Sequence, residues 1–172
     1  AALPYKPDHI VRLTGDCPLI DPGLIDTVIK FHVDGKYDYT SNCLEPTYPD
    51  GLDTEVFKYK CLCEAWQEAK LESEREHVTP FINKQSNRYK LGCLKSAQDY
   101  SLLRWTVDES ADFDFVSQVY STLYSDNPLF TFEDVLELLE TKPSLGQINA
   151  GINRNEGFIK SLQNDGILTT KG

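Results

Sequence analysis

The 172-residue chain contains no methionine, and its opening Ala-Ala-Leu-Pro-Tyr-Lys-Pro runs straight into an apolar stretch. With no initiator residue, Ala1 is expected to lie inside a longer protein whose upstream part contributes to function. No apolar run approaches the ~20 residues of a membrane span, and no basic segment leads into an apolar one at the amino end. The expectation is therefore a soluble, cytoplasmic protein with no membrane partner. Basic residues are few, 17 Lys and Arg against 27 Asp and Glu, for a net charge of −10. General affinity for nucleic acid needs a basic face, so no nucleic acid partner is expected. A small phosphorylated ligand is compatible with this charge, because a metal ion can bridge carboxylates to phosphate.

Other absences narrow the chemistry. There is no Walker loop, no G-x-G-x-x-G, no G-x-S-x-G and no zinc-binding helix motif. The five cysteines, Cys17, Cys43, Cys61, Cys63 and Cys93, are odd in number and scattered, which does not describe a disulfide framework. Cys61 and Cys63 form C-x-C within a predicted helix, with no second Cys or His pair at a spacing suited to zinc. Cys17 has no basic residue or His beside it in sequence and reads as a packed thiol rather than a nucleophile.

What is present is organised around Arg12-Leu13-Thr14-Gly15-Asp16-Cys17-Pro18-Leu19-Ile20-Asp21. His9 to Thr14 reads as a strand. Asp21 and Pro22 open a helix as N-cap and first helical residue, and Leu24, Ile25, Val28, Ile29 and His32 repeat at helical spacing. Asp16 thus sits in a tight turn at the carboxyl end of a strand, where open α/β sheets place ligand chemistry. Tyr37 to Asn42 is a second strand, and strand–helix–strand order predicts a parallel pair with a right-handed crossover.

Residues 43–53 form a loop with a Pro49-Asp50-Gly51 turn. A strand over Thr54 to Phe57 and a helix from Tyr59 to about Lys70 follow. Ser73-Glu74-Arg75-Glu76 has the capping-box pattern, and Pro80 should bend or restart that helix. Strands over Tyr89 to Leu94 and Leu103 to Val107 precede helices capped by Ser110 and opened by Thr131. Pro143 to Ile148 is a connector, Asn153 to Leu162 a last helix, and residues 167–172 a frayed tail. The length suits one domain over 1–172, and the order predicts a layered α/β domain with a mixed sheet.

Asp16 and Asp108 stand alike, each after a strand and before a helix. If those strands are neighbours, two carboxylates meet at one rim, a set that suits Mg²⁺ with water and phosphate in its other positions. Equally, both can be helix-entry residues that favour an N-terminal dipole. Asp50, Asp53 and Glu55 surround the rigid turn, as a substrate loop for sugar hydroxyls or as a solvated connection. Glu76 reads as a site residue or as the capping-box partner, and His77 as a substrate contact or a core histidine. Alternation places Arg104, Thr106 and Asp108 on one side and Trp105 and Val107 on the other. Arg104 would meet phosphate or carboxylate there, or form a salt bridge to a helix.

Four segments, Val11 to Pro22, Tyr48 to Val56, Glu74 to Ile82 and Leu103 to Asp108, together resemble the spore-coat polysaccharide biosynthesis family of cytidylyltransferases. That family groups with the CMP-sugar-acid synthetases. Asn153 to Phe158 is similar to the family's carboxyl end. The resemblance implies a nucleotide-diphospho-sugar transferase fold, a three-layer α/β/α sandwich, of which this chain covers about the carboxyl-terminal two-thirds. The family's amino-terminal strand, Gly/Arg-rich loop and second strand–helix unit have no counterpart here. It implies CMP transfer from CTP to a sugar acid with pyrophosphate release, and a homodimer. By position, Asp16 and Asp108 match the metal-binding aspartates, expected to hold Mg²⁺. Asp53, Glu55, Glu76, His77 and Arg104 fall in motifs on the substrate side. Two other readings stand beside it: a metal-dependent glycosyltransferase of the same fold, and a non-catalytic half that serves a partner.

Overall fold

A computed structural model of the chain describes residues 2–152, 154 and 161–166. The central sheet has four strands, β1 (His9–Arg12), β2 (Tyr39–Ser41), β3 (Glu55–Lys58) and β4 (Leu91–Cys93), in the order β1-β3-β2-β4. β3 runs antiparallel to both β1 and β2, pairing Ile10 and Tyr39 with Phe57, while β2 and β4 are parallel. The sheet is mixed, as expected. The predicted adjacent pair of β1 and β2 is corrected: the two run parallel, but β3 lies between them. Buried on both faces, the Glu55-Val56-Phe57 run suits a central strand.

Because successive strand residues face opposite ways, β3 divides the core. Val56 joins Leu24 and Val28 of α1 (Pro22–Asp34), Phe115, Val116 and Val119 of α5 (Ser110–Leu123), and Val135 and Leu138 of α6 (Phe132–Thr141). Phe57 joins Cys61 and Ala65 of α2 (Tyr59–Glu68) and Phe81 and Ile82 of α4 (Pro80–Asn83). The result is three layers, helix, sheet, helix. Among the described residues, no helix is long and apolar enough to cross a membrane.

Local sequence explains most helix ends. Asp21 caps α1, its Oδ1 accepting from the Leu24 N–H at 2.7 Å, with Pro22 at the first helical position. Its other oxygen accepts from the Phe132 N–H at 2.9 Å, so one carboxylate serves the starts of α1 and α6. The short α3 (Glu72–Glu76) begins two residues earlier than its capping box predicts. Leu71 is the N-cap, and Glu74 accepts from the N–H groups of Lys70 and Leu71. The chain restarts at Pro80 as α4, as the proline requires. α5 is capped by Glu109, not Ser110.

The predicted strand over Leu103 to Val107 is not one. The segment makes a single parallel bridge, Asp50 to Arg104. Its other backbone bonds go to loops, with Trp105 N–H donating to Asp50 O at 2.6 Å and Val107 N–H to Asp16 O at 2.8 Å. Gly51 makes this approach possible. Its φ is +101°, and a Cβ there would lie 2.4 Å from the Thr106 nitrogen, so a residue with a side chain would be both strained and blocked. Residues 143–148 form the expected connector, with one 3₁₀ turn at Leu145–Gln147. The predicted helix over 153–162 and the tail over 167–172 lie almost wholly outside the described residues.

Candidate active site

A cavity of about 540 Å³ opens at the carboxyl ends of β1 and β2 and the amino end of β3. Asp16, Asp53, Glu55, His77, Arg104 and Asp108 all line it, and Glu76 does not. Each lies on a loop or strand end supported by the sheet, as residues that meet ligands in α/β folds do.

The backbone joins the Asp16 turn to the Asp108 segment. The Asp16 carbonyl accepts from the Val107 N–H at 2.8 Å and the Thr106 hydroxyl at 3.2 Å. The two predicted partners therefore share one rim, and both residues are exposed. The alternation over residues 104–108 holds: Arg104, Thr106 and Asp108 face the cavity while Trp105 is buried in the core. Among the described residues no three His, Cys, Asp or Glu side chains are grouped to hold a metal ion; the rim offers two carboxylates.

Arg104 is buried behind that rim. Its Nε and Nη2 donate to the two oxygens of Asp112, each at 2.9 Å, its Nη1 to Asp50 at 3.1 Å, and its Nη2 also to Asp108 at 2.8 Å. The bidentate pair to Asp112 of α5 is the salt bridge to a helix, in the fork geometry that suits guanidinium and carboxylate. Burial opposes the charge of Arg104, but these carboxylates outweigh it and raise its pKa. Asp112 also accepts from the Asn149 amide at 2.8 Å and from the N–H groups of Asp108 and Glu109. Burial would raise its pKa; Arg104, Asn149 and the two N–H groups together lower it to about 2.

Asp50 continues the network. One oxygen meets Arg104, and the other lies 3.4 Å from Nε of Arg154, whose Nη2 bonds Asp53 and whose Nη1 donates to Tyr48 O at 3.3 Å. Charges thus alternate from Asp53 through Arg154, Asp50 and Arg104 to Asp108. Burial raises the pKa of Asp50 against both arginines. Asp53 is pushed up to about 6, by burial first, then by Asp50 and Glu55, with Arg154 opposing.

Glu55 forms the cavity floor. Its Oε1 accepts from the hydroxyls of Tyr39 at 2.5 Å and Thr79 at 2.6 Å, and its Oε2 pairs with Arg12. Thr79 follows a tight turn in which its N–H donates to His77 O at 2.7 Å across Val78, whose φ is +68°. A β-branched residue in that region is strained, and the turn sets His77 and Thr79 on the cavity wall. His77 Nε2 lies 3.0 Å from the Ser161 hydroxyl, which donates to Glu76 at 2.6 Å. Glu76 is thus neither the capping partner of α3 nor part of the cavity lining. Burial pushes the Cys17 thiol up to about 12, which keeps it protonated and suits a packed role.

Sequence reasoning missed Arg12, Tyr39, Thr79, Asp112, Asn149 and Arg154. Two carried a usable signal. Asp112 lies three residues after Glu109 in capping-box spacing, and Arg154 lies in the segment 153–158 noted only as a resemblance. The others come together from distant parts of the chain.

A nucleotide-sugar transferase-like α/β/α fold, with two carboxylates at a strand-end rim over a polar cavity, describes a class of transferases, and comparison with known proteins defines it further. The cytidylyltransferase family model matches residues 1–141. An uncharacterised protein of Methanocaldococcus jannaschii is 31% identical over 154 residues, covering 87% of this chain and 60% of that protein. The spore coat polysaccharide biosynthesis protein SpsF of Bacillus subtilis is 30% identical over 141 residues, covering 80% of this chain and 57% of that protein. A solved cytidylyltransferase structure from Leptospira borgpetersenii superposes with a TM-score of 0.79 at 30% identity, covering 85% of this chain and 61% of that one. The chain belongs to the cytidylyltransferase family, and it spans about three fifths of the length of these relatives.

Proposed function

We propose that the protein transfers CMP from CTP to a sugar acid and releases pyrophosphate, for the synthesis of a surface polysaccharide. The observation that carries this reading is the rim itself. In a chain of the cytidylyltransferase family, the backbone of Asp16 is bonded to residues 106 and 107, so Asp16 and Asp108 open together onto one cavity. The name of the Bacillus relative supports the polysaccharide product.

The residues present fit Mg²⁺. The ion takes few protein carboxylates and keeps positions for water and substrate phosphate, and the rim supplies two exposed carboxylates. Arg104 bonds one oxygen of Asp108, the kind of outer contact that orients a ligand. When bound, Mg²⁺ supplies charge neutralisation and alignment of the triphosphate. Asp16 and Asp108 fix the phosphate end of the cavity, and the Glu55 floor with its Arg12, Tyr39 and Thr79 partners shapes the acceptor end. An acceptor hydroxyl oxygen attacks the α-phosphorus, the new O–P bond forms, and the bond to the bridging oxygen breaks with loss of pyrophosphate. Holding the two reactants in line supplies much of the rate.

In the full-length enzyme, Asp16→Asn should cut Mg²⁺-dependent pyrophosphate release from CTP by more than about 100-fold with the circular dichroism spectrum unchanged. Near-normal turnover would reject the assignment. Release of a nucleoside diphosphate from a sugar nucleotide, with no pyrophosphate from CTP, would point to a glycosyltransferase.

A further inference from the structure

We propose that Asp53 is the proton acceptor for the attacking sugar hydroxyl, an inference that rests on the nucleotidyl-transfer reading above. Elimination among the cavity carboxylates leads to it. Both oxygens of Glu55 are engaged, one by two hydroxyls and one by Arg12. Both oxygens of Asp50 face arginines. Asp16 and Asp108 belong to the phosphate rim, and the exposed Glu109 follows Asp108 at its solvent edge. Asp53 differs: Arg154 binds its Oδ1, and among the described residues its Oδ2 has no hydrogen bond. The side chain is mostly buried yet lines the cavity.

Its backbone is held on both sides. The Asn42 side-chain amide donates to Leu52 O at 2.8 Å, and its oxygen accepts from the Thr54 N–H at 2.8 Å. Just before it, the Gly51 turn is pressed against Trp105 and Thr106. A group that moves a proton needs this fixed placement and a pKa near the working pH. The charged and titratable groups around it are Arg154, Asp50, Glu55 and the thiols of Cys17 and Cys43. With a value of about 6, Asp53 is ionised at neutral pH and still basic enough to accept.

The step balances. The hydroxyl proton passes to Asp53 Oδ2, and the oxygen's electron pair forms the bond to the α-phosphorus. The electrons of the α–β bridge leave on pyrophosphate, and Asp53 returns its proton to solvent.

The test uses the intact enzyme with Mg²⁺-CTP and two acceptor probes, 3-deoxyoctulosonic acid and N-acetylneuraminic acid, followed by pyrophosphate release. For the wild type, kcat/KM should fall on the acid side with a midpoint near 6. Asp53→Asn should lower kcat by about 100-fold or more, with CTP binding by calorimetry unchanged. Arg154→Ala should move the acid midpoint upward, because Arg154 favours the ionised form, and Arg154→Lys should restore much of it. These shifts are read on folded, active enzyme, so they separate a proton-transfer role from a structural one. Asp53→Asn at near-normal kcat, or an acid midpoint that Arg154→Ala leaves in place, overturns the role of Asp53 alone. No pyrophosphate from wild-type enzyme with either acceptor overturns the nucleotidyl-transfer reading along with it.

Discussion

Asp112 and Asp53 lie at opposite ends of one charge network, each bonded to an arginine, and they shift in opposite directions. Asp112, behind the phosphate rim, receives two bonds from Arg104, one from Asn149 and two from backbone N–H groups, and its pKa is lowered to about 2. Asp53, in the cavity wall, receives one side-chain bond, from Arg154, has two carboxylates as neighbours, and its pKa is raised to about 6. The contrast shows that an arginine partner does not by itself settle the charge of a buried acid. Burial pushes both upward, and the balance between donors and like-charged neighbours decides the direction. The acid behind the rim is saturated with donors, whereas the wall keeps one acid undersupplied.

Four measurements would break or sharpen this contrast. The largest effect belongs to the saturated side. Asp112→Ala takes the bidentate partner from the buried Arg104 and the acceptor from the Asp108 and Glu109 N–H groups, and should cost about 3–5 kcal/mol in denaturant unfolding; a loss below about 1 kcal/mol would remove Asp112 from the centre of the network. The same acid gives a pH signature. Its folded value lies below the usual 3.8, so its contribution, on the order of 2 kcal/mol, is complete above that pH and disappears as pH falls from near 4 towards 2.

The undersupplied side has the opposite sign. The folded value of Asp53 lies above its unfolded value, so ionising it in the folded state opposes folding above pH 6, and that cost fades as pH falls towards 4. Asp53→Asn should therefore be as stable as wild type or more so at pH 7.5, by up to about 2 kcal/mol, with the advantage shrinking below pH 6 and gone near pH 4. A thermal scan across that range that shows a clear loss at pH 7.5 would contradict it. The smallest effect is at Val78. Glycine adopts a φ of +68° freely, and relief of about 1–3 kcal/mol of strain is partly offset by the extra freedom of the unfolded chain, about 0.4–1 kcal/mol. Val78→Gly should leave Tm unchanged or slightly raised, and a marked drop would mean that the Val78 side chain, not the strained turn, holds the wall in place.

The rim was more legible in the sequence than the wall, for a physical reason. Asp21-Pro22, Pro80 and the alternation over residues 104–108 are local, and local rules of capping, proline geometry and strand periodicity foretell them. Asp16 and Asp108 could be paired because the sequence around each reads as the same kind of strand-to-helix junction, although before Asp108 the chain makes only a single bridge. Glu55 could be named from its motif, but its role as a hub could not, since Arg12, Tyr39 and Thr79 reach it from two other strands and a turn. The insertion of β3 between β1 and β2 was hidden likewise. A crossover rule describes strand direction, while the neighbour is decided by which faces can be buried, here by Val56 on one side and Phe57 on the other. The predicted strand at 103–107 fails because its backbone partners are the loops at Asp16 and Asp50, which carry no strand pattern.

The double use of Asp21 bears on the order of assembly. One of its oxygens is matched at once, three residues along, but the other waits for the amide of Phe132, 111 residues later. During synthesis α1 can be capped as soon as it emerges, yet its carboxylate stays half-matched until the start of α6 has also left the ribosome. Domains generally form as units as the chain is made, and this bond gives the helical layer a closing event late in translation. The amide of Phe132 should accordingly be the proton whose protection from solvent exchange reports that the layer has closed.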